Sequence, residues 1–283
     1  MGRKAKDLPE TAWLHEHYMD LEQNNRRITM KTKSLALLAG LSVAAFSAQA
    51  SLVSSTSDDG VNLQSVLDGI TDSGSSSVNV YNDHLGDGLD SYWNITASGG
   101  SVATFVIEIA GNENINTFGV YDRSNSNNYL ELFSGPASSG NGFQSSVTLS
   151  MLDDGSGSFD VQALGAGVYN TGTFNTKQFG YYLGTANGPT FYSDSSLNTD
   201  GSDQMVAYQG TGDDVTIDGF SGGEWTANEY ILAWEDLLYA DSDQDFNDLV
   251  VMVESVSPVP EPGTLALLGL GILGLGAARR RAA

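Results

Sequence analysis

Four aspartates lie within eight residues near the carboxyl end of the sequence: Asp241, Asp243, Asp245 and Asp248. Apolar runs flank them on both sides, and no lysine or arginine lies between those runs. Carboxylates a few ångströms apart repel each other by about 1 kcal/mol per pair even in water. Calcium takes about six to eight oxygen ligands in flexible geometry. This spacing of carboxylates therefore indicates a calcium site, with acidic strand caps as the alternative interpretation.

The first three aspartates have the spacing of an EF-hand loop, but two other positions exclude that motif. Phe246 stands where the sharp turn needs glycine, and Met252 stands where the loop needs a bidentate glutamate. The residues that follow are β-branched and not helix-forming. The acidic stretch is therefore predicted to be a loop between two strands.

The wider pattern runs from Glu235-Asp236, through Asp243-x-Asp245-x-Asn247-Asp248, into the apolar residues 249–253. It resembles the C-terminal signature of a bacterial domain family of unknown function, which is frequent in PEP-CTERM proteins and large calcium-dependent adhesins. Weaker similarity extends over most of residues 100–256. The resemblance implies a β-sandwich with acidic side chains gathered at one edge. The candidate metal ligands that it carries over are Glu235, Asp236, Asp243, Asp245, Asn247 and Asp248, with Asp241 as a plausible addition.

Short strands separated by turn residues are the elements that must position these side chains. Residues 61–70 have the apolar spacing of one short amphipathic helix. The remaining pattern predicts an all-β fold, a single β-sandwich or jelly-roll-like domain over residues 51–257. The predicted strands are residues 77–81, 92–97, 101–110, 117–121, 129–133, 145–152, 158–164, 178–183, 190–193, 204–208, 213–217, 230–234 and 249–256.

Charge restricts the classes of partner. The chain has 283 residues and a formal net charge of −23, and only Arg123 and Lys177 of its twelve basic residues lie within residues 51–257. Such a surface repels the phosphates of nucleic acids and anionic lipid. We therefore expect no nucleic-acid binding, and the charge favours metal cations or basic partners. The sequence contains no cysteine, so metal ions are the available cross-links.

The amino-terminal part has the pattern of a secretory signal. Residues 30–50 combine a basic start, a short apolar segment and a small-x-small cleavage site at Ala48-Gln49-Ala50. This pattern predicts a signal peptide and export through the Sec translocon. Residues 1–29 are charged and do not fit such a signal. They are interpreted as an over-extended start or, alternatively, as a cytoplasmic extension.

The carboxyl-terminal residues 258–283 form a second sorting pattern. Pro260, Glu261 and Pro262 precede an apolar run of about fifteen residues, short of the ~20 that a spanning helix needs, and the cluster Arg279, Arg280 and Arg281 follows. This arrangement resembles the PEP-CTERM sorting signal. The resemblance implies recognition by an exosortase that cuts near the Pro-Glu-Pro, in a Gram-negative bacterium that makes extracellular polysaccharide. The apolar helix would anchor the protein transiently in the inner membrane before surface attachment or release into the matrix.

Signatures of catalysis are few. His84 is the single histidine within residues 51–257, and no nucleophile elbow or phosphate-binding loop occurs. We therefore expect a non-enzymatic structural or adhesive protein of the exopolysaccharide matrix, stabilised by calcium. A carbohydrate-binding module is the alternative, with Trp93, Trp225 and Trp234 as a possible sugar platform, and a secreted glycan hydrolase is a third hypothesis.

Overall fold

The computed structural model describes residues 52–56, 60–97, 101–108, 116–134, 146–165, 168–185 and 188–260. They form one helix, α1 (Leu63–Ile70), a 3₁₀ helix (Ser195–Leu197) and fifteen strands. The strands are β1 (Trp93–Ile95), β2 (Ser101–Glu108), β3 (Thr117–Asp122), β4 (Asn125–Ser134), β5 (Ser146–Asp153), β6 (Phe159–Gly165), β7 (Val168–Phe174), β8 (Phe179–Gly184), β9 (Thr190–Tyr192), β10 (Met205–Gln209), β11 (Asp213–Val215), β12 (Gly223–Trp225), β13 (Glu229–Trp234), β14 (Leu249–Glu254) and β15 (Val256–Pro258). The predicted mostly-β body is confirmed, with one short helix.

The predicted signal peptide, residues 1–29 and the apolar run before the terminal arginines lie outside the described residues. Within the described ranges, no helix is long and apolar enough to cross a membrane.

The strands form two large antiparallel sheets and one small sheet. The six-stranded sheet has the order β15-β1-β8-β3-β4, with β9 also paired to β8. The seven-stranded sheet has the order β10-β13-β14-β2-β5-β6-β7. Among the described strands, β11 and β12 pair only with each other and form the small sheet.

A shared hydrophobic core lies between the two large sheets. Phe118 and Tyr181 of the six-stranded sheet stack with ring centroids 5.6 Å apart, and Phe118 meets Trp234 of the seven-stranded sheet edge-on at 6.1 Å. All three side chains are buried. Burying an aromatic side chain of this size stabilises the fold by about 1.5–3 kcal/mol. The two sheets are therefore held face to face by a core that combines aromatic and aliphatic side chains.

A second core covers the other face of the seven-stranded sheet at strands β10, β13 and β14. Leu67 of α1 and Trp225 of β12 pack there with Ile231, Val250 and Phe246. A strand that is buried on both faces has no polar side to alternate with the apolar one. This double burial explains why residues 230–234 and 249–253 are continuous apolar runs.

The helix predicted at residues 61–70 begins at Leu63. Asn62 caps its first turn, because the side-chain oxygen of Asn62 accepts a hydrogen bond of 2.9 Å from the Ser65 amide. Leu63, Val66 and Leu67 are buried along one face against the second core. The predicted amphipathic helix thus covers the second core with its apolar face.

The strand predicted at residues 77–81 is wrong. Val78 and Val80 are buried as the alternation indicated, but Gln64 of α1 takes the place of a neighbouring strand. The Gln64 side chain donates to the Val78 carbonyl oxygen at 3.0 Å and accepts from the Val80 amide at 3.1 Å. A single side chain therefore satisfies the backbone groups that a sheet ladder would otherwise have paired.

Candidate metal centre

The acidic loop, residues 235–248, connects the adjacent strands β13 and β14 of the seven-stranded sheet. Its two ends are fixed by backbone hydrogen bonds, from the Glu235 amide to the Gln204 carbonyl (3.1 Å) and from the Asp248 amide to the Trp234 carbonyl (3.2 Å). Both flanking strands are buried on both faces. The loop therefore extends from the most constrained part of the sheet, as predicted from the flanking apolar runs.

Glu235, Asp243 and Asp245 converge within this loop. One carboxylate oxygen of each lies within 4.8 Å of the corresponding oxygens of the other two. Calcium binds oxygen at about 2.3–2.6 Å, so two of its ligands lie at most about 5 Å apart. Glu235 and Asp245 are fully buried, and Asp243 is half-buried. The three carboxylates thus have the separation that one ion requires.

Two residues with left-handed backbone conformation alternate with these aspartates. Gln244 has a φ of 63° and Phe246 a φ of 56°, a region in which a bulky non-glycine residue is an outlier. Each such residue costs of the order of 1 kcal/mol or more. The Phe246 side chain is fully buried in the second core. Its burial offsets the backbone strain and holds the loop in this conformation.

Glu235 has one paired and one unpaired oxygen. Its Oε1 accepts a hydrogen bond of 2.6 Å from the Phe246 amide. Its Oε2 is buried and accepts no hydrogen bond from any residue that the structure describes. Burial raises the pKa of Glu235 above its ordinary value. A buried carboxylate that lies beside two further carboxylates and has an unpaired oxygen requires either a proton or a cation.

The basic side chains of the body are engaged elsewhere. Arg123 donates to the Gln178 side chain at 2.6 Å and lies over the Tyr92 ring, while Lys177 lies over the Phe159 ring. These are the two basic residues of residues 51–257. Within the described part of the chain, therefore, no lysine or arginine compensates the charge of Glu235.

Asn247 holds Asp245 in place. The Asn247 amide donates to Asp245 Oδ1 at 3.2 Å, and its side-chain nitrogen donates to Asp245 Oδ2 at 2.7 Å. The same nitrogen donates to the Val61 carbonyl oxygen at 2.7 Å. Asn247 thereby connects the loop to the residues that precede α1, and its role in this geometry is to position Asp245.

Asp236 and Asp248 lie between the ends of β13 and β14, and neither belongs to the cluster of three converging carboxylates among the described residues. The Asp236 carboxylate accepts a hydrogen bond of 3.0 Å from Asn116, and Asp248 Oδ2 accepts one of 2.8 Å from the Asp236 amide. Burial and the nearby Asp236 charge raise the pKa of Asp248 to about 8. The predicted ligands are therefore divided into two groups, and Asp241, which is exposed, belongs to neither.

Asn116 is a residue of this second group that the sequence did not single out as a site residue. It is buried next to β3, in the other large sheet, and its Oδ1 has no hydrogen-bond partner among the described residues. It is separated from Asp236 by 120 positions. The packing of the two large sheets brings Asn116 close to the loop. The spacing of residues within the acidic motif could not reveal this contact.

The suggested tryptophan platform for sugars is wrong. Trp93, Trp225 and Trp234 are each fully buried. Their rings belong to the two cores.

Pro260 is the only one of the predicted sorting residues that lies within the described part of the chain. It follows β15, which pairs with β1, and the Val259 amide donates to the Tyr92 carbonyl oxygen at 2.7 Å. Glu261, Pro262 and the arginines at positions 279–281 lie outside the described residues.

Comparison with protein families gives two matches. Residues 166–256 match the family described as a domain of unknown function (DUF4114), a range that includes the acidic loop. Residues 258–281 match the PEP-CTERM protein-sorting motif. No curated protein and no solved structure matches the chain. The predicted sorting motif is confirmed, and it implies export, membrane-associated sorting and processing by exosortase.

Proposed function

We propose that the exported body is a non-enzymatic structural or adhesive β-sandwich of the exopolysaccharide matrix and that calcium stabilises it. Two observations on Glu235 carry the calcium site: its Oε2 is buried and unpaired among the described residues, and one of its carboxylate oxygens lies within 4.8 Å of oxygens of Asp243 and Asp245. A calcium ion there replaces repulsion among three carboxylates with attraction to each of them.

The donor set favours calcium over other metals. Its atoms are all carboxylate oxygens, and no cysteine exists in the chain to favour softer metals. Magnesium needs near-octahedral geometry and gives up its water reluctantly. A loop with partly buried carboxylates and an open side at Asp243 suits the larger ion.

The ion would link the end of strand β13 to the part of the loop that leads into β14. Asp243 and Asp245 lie in the second half of the loop, whereas Glu235 directly follows strand β13. Phe246 anchors the same loop in the second core. Binding would therefore stabilise the β13–β14 connection, and with it the second and third strands of the seven-stranded sheet.

A non-enzymatic role is supported by the surroundings of His84. Its ring Nδ1 lies 3.0 Å from the Leu85 carbonyl oxygen, and that backbone partner is neither a nucleophile nor an orienting carboxylate. No proton-transfer pair is therefore formed by this histidine and the groups that the structure describes around it.

Thermal unfolding of the purified protein with and without calcium tests the proposal. Binding only to the folded state at about 100 times Kd stabilises it by about 2.7 kcal/mol. For a body of this size, we expect the midpoint to rise by roughly 5–10 °C in millimolar calcium compared with EDTA.

Sodium chloride at the same ionic strength controls for screening of the net charge. The variant Asp243→Asn should lose the calcium shift, whereas Asp241→Asn, which changes an exposed neighbour, should retain it. An equal midpoint in calcium and EDTA would refute the calcium site.

The matrix role has its own test. Cells that produce the Asp243→Asn variant should export it but retain less of it in the matrix fraction than cells with the Asp241→Asn control. Equal retention of both variants and of the unmodified protein would show that calcium does not support that role.

Carbohydrate binding remains a second candidate, because an outer sheet surface carries exposed tyrosine and hydroxyl groups.

A further inference from the structure

The outer face of the six-stranded sheet carries an unusual set of side chains. Phe118 of β3 and Tyr181 of β8 point into the shared core, so their neighbours along each strand point outward. The outer face of an antiparallel sheet is commonly polar. Here it presents tyrosines from five parts of the sheet: Tyr92, Tyr121, Tyr129, Tyr182 and Tyr192.

Glycines allow two of these rings to lie against the sheet. A Cβ atom at Gly119 would lie 2.6 Å from Tyr182 Cε1, and one at Gly180 would overlap the Tyr121 ring. Contacts under about 3 Å are essentially never made by real Cβ atoms, so both positions require glycine while the rings stay in place. The Tyr182 and Tyr121 rings thus lie directly on backbone that carries no side chain at these two positions.

The Tyr182 and Tyr129 rings are nearly perpendicular to each other. Tyr182 is only 5% exposed, whereas Tyr129 is 62% exposed. Their ring centroids are 5.5 Å apart at an interplanar angle of 74°. Tyr129 therefore stands almost upright beside a flat-lying ring and presents most of its surface to solvent.

A groove of about 230 Å³ lies beside this pair of rings. Tyr192 continues its aromatic side, and Glu131, Thr117 and Thr190 supply a carboxylate and two hydroxyls. None of the residues that line it is basic. The groove thus combines aromatic surface with hydrogen-bond acceptors and carries no positive charge.

We infer that this groove binds a neutral polysaccharide, and the inference rests on the proposed extracellular role but not on the calcium site. A pyranose ring has a C–H face that packs on an aromatic ring and hydroxyls at its edge that donate to carboxylate and hydroxyl oxygens. Glu131 and the net charge of −23 repel acidic glycans. Rigid tyrosines lose little conformational entropy when a ligand binds.

Isothermal titration of the purified protein with soluble neutral polysaccharides tests this inference. The probes are dextran, galactomannan, mixed-linkage β-glucan and the neutral fraction of the producing cells' own matrix, with alginate as the acidic comparison. We expect binding to at least one neutral probe and none to alginate. Tyr129→Ala should weaken that binding roughly tenfold.

Tyr169→Ala is the matched control, because Tyr169 of β7 is 66% exposed on the other large sheet. It should leave the affinity unchanged. If the protein binds none of the neutral probes, or if the two tyrosine variants change the affinity equally, the inference is overturned.

Repeating the titration with Asp243→Asn separates the two proposals. If a variant that has lost its calcium shift still binds glycan, glycan binding by the groove does not depend on the calcium site. Glycan binding that is absent in a protein with an intact calcium shift would refute the groove alone.

Discussion

The two oxygens of Glu235 differ, since Oε1 has the Phe246 amide as a donor and Oε2 has no donor within the described part of the chain. Such a group destabilises the fold when it is charged and unpaired, and stabilises it when a cation is bound. Its contribution therefore changes sign with the occupancy of the site.

That change of sign gives a prediction for Glu235→Gln. The amide keeps an acceptor for Phe246 and removes one of three clustered charges. In EDTA at neutral pH, we expect the variant to be more stable than the unmodified protein by about 1 kcal/mol. In millimolar calcium, we expect it to be the less stable of the two. Urea unfolding under both conditions measures the crossover, and a variant that is destabilised equally in both would contradict it.

Residue-level patterns predicted the acidic loop but not how its side chains are distributed. The run of carboxylates was visible in the sequence, and Glu235 and Asp236 were grouped as ligands of one site. In the structure, Glu235 belongs to the three converging carboxylates and Asp236 does not. Asn116, from the facing sheet, joins Asp236 only through tertiary packing.

At the scale of elements, glycines determine how closely strands and rings approach. A Cβ atom at Gly119 of β3 would overlap the Leu130 carbonyl oxygen of β4 as well as the Tyr182 ring. At Gly69 of α1, a Cβ atom would meet nothing within 4 Å. The same substitution should therefore have opposite effects at the two positions.

We expect Gly119→Ala to destabilise the protein by roughly 2–3 kcal/mol, since it overpacks a paired strand. Gly69→Ala should stabilise it by about 0.5–1 kcal/mol, because alanine restricts the unfolded chain and favours a helix. Urea unfolding of both variants measures the difference. Equal stabilities of the two variants would contradict this account of the β3–β4 contact.

Element boundaries show where periodicity succeeds and where it fails. It located α1 and most strands, because their apolar positions follow the local geometry. Residues 77–81 alternate equally well but pair with the Gln64 side chain instead of a strand. Strands β7, β12 and β15 were not predicted, because nothing in a short local pattern identifies the strand with which it pairs.

At the scale of the whole molecule, buried acids link stability to pH. Asp90 is 1% exposed, and neither of its carboxylate oxygens has a hydrogen-bond partner among the described residues. Burial and the neighbouring Asp203 and Asp87 raise the pKa of Asp90. Burial and the Asp87 charge raise the pKa of Asp203 from 3.8 to about 7.

A raised carboxyl pKa means that the folded state holds protons that the unfolded state has released. Between pH 4 and pH 7, the window set by the unfolded and folded pKa values of Asp203, the stability of the calcium-free protein should therefore fall as the pH rises. We expect a loss of more than about 1 kcal/mol over this window in EDTA. Urea unfolding at several pH values measures it.

Asp203→Asn should reduce this slope and leave the protein more stable than the unmodified chain at pH 8. Asp200→Asn, at an exposed position three residues earlier, is the control and should keep the original slope. Stability that rises through this window in the unmodified protein would contradict the assignment.

The carboxyl-terminal strand has a mechanical consequence. The last described backbone bond joins Val259 to Tyr92, and the Pro-Glu-Pro of the sorting motif begins at the next residue. A residue spans at most about 3.6 Å, so a covalent link made within residues 260–262 would lie within about 11 Å of that bond. A tether this short would keep the end of β15 close to the point of attachment. Since β3 lies three strands from β15, or about 14 Å at strand spacing, every attached copy would hold the groove beside β3 within about 25 Å of its point of attachment.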